Sequence, residues 1–318
     1  MKAIRLEASL QFNPTYKDLT PPVGEALVRV HQAGICATDI QLVKGYMGFQ
    51  GILGHEFVGT VEQAYGHEHL NGRRVVGEIN AACRTCPTCQ AERLTHCPNR
   101  TTLGIDQRDG AFAEYLCLPV ENLHPVPDNI SDDQAVFTEP LAAACQILEQ
   151  ISITPNDHVV IIGDGKLGLL CAQVIHTTPC QLTVIGRHPD KLALLKNLGI
   201  QTTTQIEDVS PGIDIAIEAT GSPDGLKVAN QLLRPRGTLV MKSTYPGHTT
   251  FDFTSLVVNE INIVGSRCGP FPQALEMLEQ NRVCVEPLIH SKFSINQGIE
   301  AIKLASTPGI LKVLITMN

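Results

Sequence analysis

The run Asp157-His158-Val159-Val160-Ile161-Ile162, followed by Gly163-Asp164-Gly165-Lys166-Leu167-Gly168, decides the fold. An apolar run that ends in glycine reads as a buried strand, and Lys166–His176 continues it with a helical pattern. A G-x-G-x-x-G motif alone carries little weight, but between a strand and a helix it reads as a dinucleotide-binding turn. Gly163 serves the tight turn, Gly165 lets backbone approach a pyrophosphate, and Gly168 lets the helix pack on the strand. Lys166 and Leu167 complete the expected cofactor-binding turn. Downstream, strands at Gln181–Ile185, Ile213–Glu218, Thr238–Met241 and Ile261–Val264 alternate with helices at Pro189–Leu198 and Asp224–Leu233. Gly199 stops the first of those helices at a C-cap position. This alternation predicts right-handed βαβ units and a doubly wound parallel sheet, an α/β class.

An acid is expected about 20 residues on, where the second strand ends, if the ligand is NAD. That position falls on Gly186, followed by Arg187 and His188. With no carboxylate there to repel a 2′-phosphate and two donors beside it, the sequence favours NADP over NAD.

The texture before this region is different. Ala26–His31, Phe57–Glu62, Arg74–Glu78 and Ala113–Leu118 are short β-like runs broken by Gly and Pro. Thr138-Glu139-Pro140 opens a helix with proline in its first turn, where the missing N–H does no harm. The chain from about residue 266 returns to mixed texture, with a helix near Pro272–Gln280. The resulting division assigns 1–141 and 266–318 to a β-rich catalytic domain and 142–265 to a nucleotide-binding domain.

Composition bounds the function. The 318 residues suit about two domains. A 43% hydrophobic share against 18% charged excludes disorder as the main state. A net charge of −8 without a basic run disfavours nucleic acid. No apolar stretch is long enough to span a bilayer. Lys2, Arg5 and Glu7 stand where a signal peptide would be apolar, which predicts a cytoplasmic protein. In such a chain eleven cysteines point to metal rather than disulfides.

Cys83, Cys86, Cys89 and Cys97 form C-x2-C-x2-C-x7-C. Four thiolates so close can close a tetrahedral zinc shell with no open position, a structural site. An iron–sulfur cluster uses the same ligands and stays an alternative. Only Arg84 and Arg93 lie in the loop, which disfavours a nucleic-acid zinc ribbon. A second set comprises Cys36, the pair His55-Glu56, and Glu139. Three ligands and an open position make a catalytic zinc site. Singly these are an apolar cysteine, a satisfied histidine and a first-turn carboxylate; beside the lobe and the dinucleotide motif they read as one site.

These motifs, with Gly34-Ile35-Cys36-Ala37-Thr38-Asp39, Gly54-His55-Glu56-Phe57-Val58-Gly59 and Gly265-Ser266-Arg267, resemble the zinc-containing medium-chain alcohol and polyol dehydrogenases nearly end to end. The resemblance implies a GroES-like catalytic domain and a Rossmann domain. It implies two zinc ions per chain, with Cys36 and His55 as catalytic ligands and Glu56 or Glu139 as the third. It also implies that Thr38 contacts the substrate oxygen, that Asp39 supports the site from behind, and that Arg267 lies at the cofactor. By the same analogy the chain forms a homodimer or homotetramer through Ile261–Arg267. The activity implied is hydride transfer between a nicotinamide cofactor and an alcohol, polyol or sugar, or the carbonyl counterpart. A carboxylate ligand hardens the site toward oxygen-rich substrates.

Three departures from the family pattern stand out. Gln41 occupies a position often held by a proton-relaying histidine, the stretch from Cys36 to His55 is short, and the chain is compact. Two other readings compete: a nucleotide-binding protein that lost turnover, and a zinc-independent quinone or enoyl reductase. The intact Cys36, Thr38, His55 and Glu139 argue against the first, and both cysteine sets against the second.

Overall fold

The computed structural model describes residues 1–244 and 253–317. They form two compact units: Met1–Glu139 with Phe271–Gln280 and Val285–Asn318, and Pro140–Pro270 with Asn281–Cys284. The sequence put these boundaries at 141/142 and 265/266. The divisions found are 139/140 and 270/271, and the short stretch 281–284 also joins the second unit. The helix Thr138–Gln150 carries the first division within its opening turn, Glu139 counting with one unit and Pro140 with the other.

The second unit is built on a six-stranded sheet. Its order is Gln201–Thr203, Gln181–Ile185, His158–Ile162, Ile213–Glu218, Leu233–Met241 and Asn262–Gly265. Every pairing is parallel. The strand found first in the chain lies in the middle and the order reverses beside it, which is the doubly wound arrangement. Val160, Ile162, Ile185, Ala216 and Leu239 on these strands share a buried cluster with Leu226, Ala229 and Leu232 of the helix Pro223–Leu232. The fifth strand starts at Leu233, well before the expected Thr238. Pro235 and Gly237 hid that start, and the strand accommodates them with a register break opposite Ile213 and Ile215 and a left-handed Arg236 at φ +60°.

The first unit holds a seven-stranded, mainly antiparallel sheet. Its path is Leu123–Pro125, Arg74–Gly77, Glu56–Ala64, Glu25–Gly34, Lys312–Thr316 and Ile289–Ser294, with Tyr115–Pro119 also on Glu25–Gly34. The C-terminal strands are thus bonded into the N-terminal sheet, which is why the tail counts with this unit. Among the described residues no helix is long and apolar enough to cross a membrane.

Candidate active site and nucleotide corner

Strand register assembles the first site. Gly34 pairs with Glu56 across antiparallel strands, so Cys36, just past one strand end, comes opposite His55, just before the other. Cys36 caps the helix Ala37–Val43, whose third residue is Asp39. The Asp39 carboxylate reaches back to accept the Cys36 N–H at 2.8 Å, as a capping acid does. Its other oxygen accepts the Gly54 N–H at 3.2 Å and lies 3.4 Å from His55 Nδ1. One buried carboxylate therefore ties both ligand-bearing segments together.

Ligand atoms of Cys36, His55 and Glu56 lie within 4.8 Å of one another. Glu139 stands outside that trio but faces it electrostatically. Burial pushes its carboxyl up to about 7; Glu56 and Glu78 add to the rise, and His55 and Lys312 oppose it. Burial alone would lower His55, but the charges of Asp39 and Cys36 outweigh it and raise the imidazole well above its ordinary value. Thr38 Oγ1 is 3.7 Å from Cys36 Sγ.

The sequence reading missed Lys312. Its Nζ donates to Glu56 Oε2 in a pair whose side chains are 2% and 1% exposed, and stands 5.6 Å over the Phe137 ring. Leu314 pairs with Gly34, which carries the C-terminal strand alongside. A Cβ on Gly34 would strike Glu56 Oε2, so this glycine makes room for the pair. The signal was available: Lys312 is the lone charge in Ile310-Leu311-Lys312-Val313-Leu314-Ile315. Glu56 Oε1, by contrast, is buried without a hydrogen-bond partner. A thiol, an imidazole and an orphaned carboxylate oxygen at this separation fit a borderline-soft cation such as zinc.

The four-cysteine lobe fits a second zinc. Cys86 Sγ lies 3.5 Å from Cys89 Sγ and 3.8 Å from Cys97 Sγ, and Cys97 Sγ lies 3.5 Å from Cys83 Sγ. Zn–S bonds of about 2.3 Å set sulfurs about 3.8 Å apart in a tetrahedron. Hydrogen bonds from Thr85 lower the Cys83 thiol, while desolvation raises Cys89. Binding a metal therefore displaces the proton that desolvation keeps on Cys89.

In the second unit the glycine turn takes the expected form. Gly163 has φ +123°, and a Cβ on it would stand 2.6 Å from the Ala219 carbonyl oxygen. A Cβ on Gly165 would meet nothing within 4 Å, so backbone there is open to a ligand. Gly165 caps the helix Lys166–His176, which begins with Lys166 and Leu167 and packs through Gly168. Arg267 is exposed two residues past the end of the last strand, at the carboxyl end of the parallel strands, where the glycine turn also lies.

One premise is corrected. The end of the second strand was expected to lack a carboxylate, but Asp164 of the glycine turn fills that corner. Its Oδ2 accepts the Arg187 N–H at 2.7 Å and the His188 N–H at 2.6 Å, and His188 Nδ1 lies 3.0 Å away. Gly186 leaves the space: a Cβ there would be 2.7 Å from Asp164 Oδ2. Periodicity could not show this, because the acid crosses from a neighbouring loop.

The Alcohol dehydrogenase GroES-like domain model matches residues 22–128, and the Zinc-binding dehydrogenase model matches 167–280. A sorbitol dehydrogenase of Halalkalibacterium halodurans is 30% identical over 319 residues, 93% of each chain. The structure of a zinc-binding dehydrogenase of Sinorhizobium meliloti bound to NADP is 27% identical, with a TM-score of 0.89 over 99% of this chain and 98% of that one. An alcohol dehydrogenase of E. coli complexed with NADH is likewise 27% identical, with a TM-score of 0.91 over 100% and 99%.

Proposed function

The chain belongs to the zinc-containing medium-chain alcohol and polyol dehydrogenases, and from that premise we propose that it transfers hydride between a nicotinamide dinucleotide and a polyol or sugar hydroxyl. That it is an oxidoreductase acting on alcohols follows from the family. The observation that carries the finer reading is the Cys36–His55–Glu56 cluster, with Glu139 beside it. When bound, zinc supplies Lewis acidity at an oxygen and the nicotinamide supplies hydride chemistry.

The chain's own residues do the rest. Cys36 and His55 hold the metal, and Glu56 Oε1 or the Glu139 carboxylate completes the set. Thr38 Oγ1 accepts a hydrogen bond from the substrate hydroxyl and, as that proton arrives, passes its own outward toward the cofactor ribose and water. Gln41 cannot titrate, so the proton leaves by another route. Cys83, Cys86, Cys89 and Cys97 hold a second zinc that does no chemistry. Gly163, Gly165, Lys166, Leu167 and Gly168 receive the pyrophosphate at a helix N-terminus.

A second copy of the chain is the partner this reading favours. Asn262–Gly265 is an edge strand, and near it Phe253, Val257, Val258 and Ile263 are 68%, 76%, 72% and 46% exposed. Among the described residues no strand pairs with the outer side of Asn262–Gly265, and an edge beside apolar side chains suits pairing with a second copy. Light scattering should therefore give a dimer or tetramer.

The test of function is a panel of alcohols, polyols and sugars, followed by nicotinamide absorbance, together with a metal count. Two zinc ions per chain and turnover of a polyol or sugar are expected. A zinc-depleted preparation with full activity would remove the reading.

A further inference from the structure

The glycine turn of this chain carries an acid where the fold needs only backbone, and that acid occupies the corner where an adenosine ribose is read. Asp164 is 7% exposed. Its carboxylate collects the main-chain N–H groups of Arg187 and His188 together with His188 Nδ1. Burial pushes its carboxyl up, but these donors outweigh burial and hold it below the usual carboxylate range, so it is ionised at neutral pH. Gly186, whose missing side chain had suggested space for a phosphate, instead admits this carboxylate.

We propose that Asp164 is the cofactor-selecting residue of this enzyme, and that it selects NAD over NADP. The inference rests on the proposed binding of a dinucleotide at the glycine turn. A strand-end acid favours NAD in two ways: it accepts the ribose hydroxyls and repels a 2′-phosphate. Asp164 does both from the preceding loop. It also engages the two main-chain donors at Arg187 and His188 that a phosphate would otherwise use. The Arg187 side chain is exposed, and solvent screens what it offers a phosphate. The carboxylate is fixed and nearly dry, so its charge dominates the corner.

The test measures dissociation constants for NADH and NADPH by nucleotide fluorescence on the full chain, with 5′-AMP and adenosine 2′,5′-bisphosphate as competitors that carry only this corner. The expected result is tighter binding of NADH by roughly ten- to a hundred-fold. Asp164→Asn, which keeps the shape and one acceptor oxygen, should close that gap at least about tenfold, mainly by improving NADPH. Wild-type binding of NADPH as tight as NADH overturns the proposal, as does an unchanged ratio in Asp164→Asn. Should that variant not fold, the wild-type ratio and the competitor pair still decide. Binding of neither dinucleotide would overturn the dinucleotide reading itself, a distinct outcome.

Discussion

Two clusters of side chains that could hold a metal ion share the β-rich unit, and they are built in opposite ways. The lobe draws its four sulfurs from one short loop, 83–97, and the hydrogen bonds to them come from that loop and from Asn99 just past it. The other cluster gathers Cys36, His55 and Glu56 from two strand ends, and Glu139 and Lys312 face it from a helix and the C-terminal strand. A local cluster depends on its own loop; an assembled one depends on sheet register. Removing a ligand should therefore cost stability in the lobe and chemistry in the assembled site.

The largest effect expected is at His55. His55→Ala or Cys36→Ser should reduce turnover to background while NADH still binds, because the glycine turn belongs to the other unit. Fluorescence titration beside a rate assay separates the two. A variant that keeps wild-type turnover would erase the distinction between the clusters.

Next is Lys312→Met. In the zinc-free protein it strands Glu56 as a buried, unpaired carboxylate, which typically costs 3–5 kcal/mol. Chemical denaturation should record a loss of about that size. Adding Glu56→Gln should recover most of it, since the stranded charge is gone. If the single variant is as stable as wild type, the pair does not organise this site.

Cys97→Ser tests the other cluster. It opens the four-sulfur shell and should lower the melting temperature by roughly 5–10 °C with one zinc fewer per chain. Activity per folded molecule and affinity for NADH should hold. Full zinc content with unchanged melting would show that the lobe is not a metal site.

How much of this was legible follows the same division. The lobe could be read from spacing because its ligands are neighbours in the chain. The glycine turn was equally plain, since Gly163, Gly165 and Gly168 act through backbone within one strand–turn–helix unit. Cys36, His55 and Glu139 carry little signal singly; the lobe and the dinucleotide motif beside them joined them into one site, and the family resemblance then gave each its role. The structure brings Glu56 into the trio and leaves Glu139 outside it. Lys312 was missed because its partner lies more than two hundred positions away and is reached only through strand pairing. Asp164 is a variable position of the motif, to which the sequence assigns no role; its side chain leaves the turn and accepts the N–H groups of Arg187 and His188.

The smallest effect, and the one that probes how the assembled site is held, is expected at Asp39. Its carboxylate touches no substrate position named here. It accepts the N–H of Cys36 at 2.8 Å and of Gly54 at 3.2 Å, and faces His55 Nδ1 at 3.4 Å. It thus joins the helix start that presents the thiol to the strand start that presents the imidazole, and sets a negative charge beside that imidazole. Losing such a partner behind a metal ligand typically costs 10–100-fold in metal affinity or activity. Asp39→Asn keeps one acceptor oxygen and loses the charge, so the lower half of that range is expected. A chelator titration should then strip one zinc at lower chelator concentration than in wild type, while the lobe's zinc leaves unchanged. If both zinc ions loosen together, Asp39 stabilises the whole unit rather than this site. If neither moves, register alone holds Cys36 against His55 and the carboxylate is dispensable.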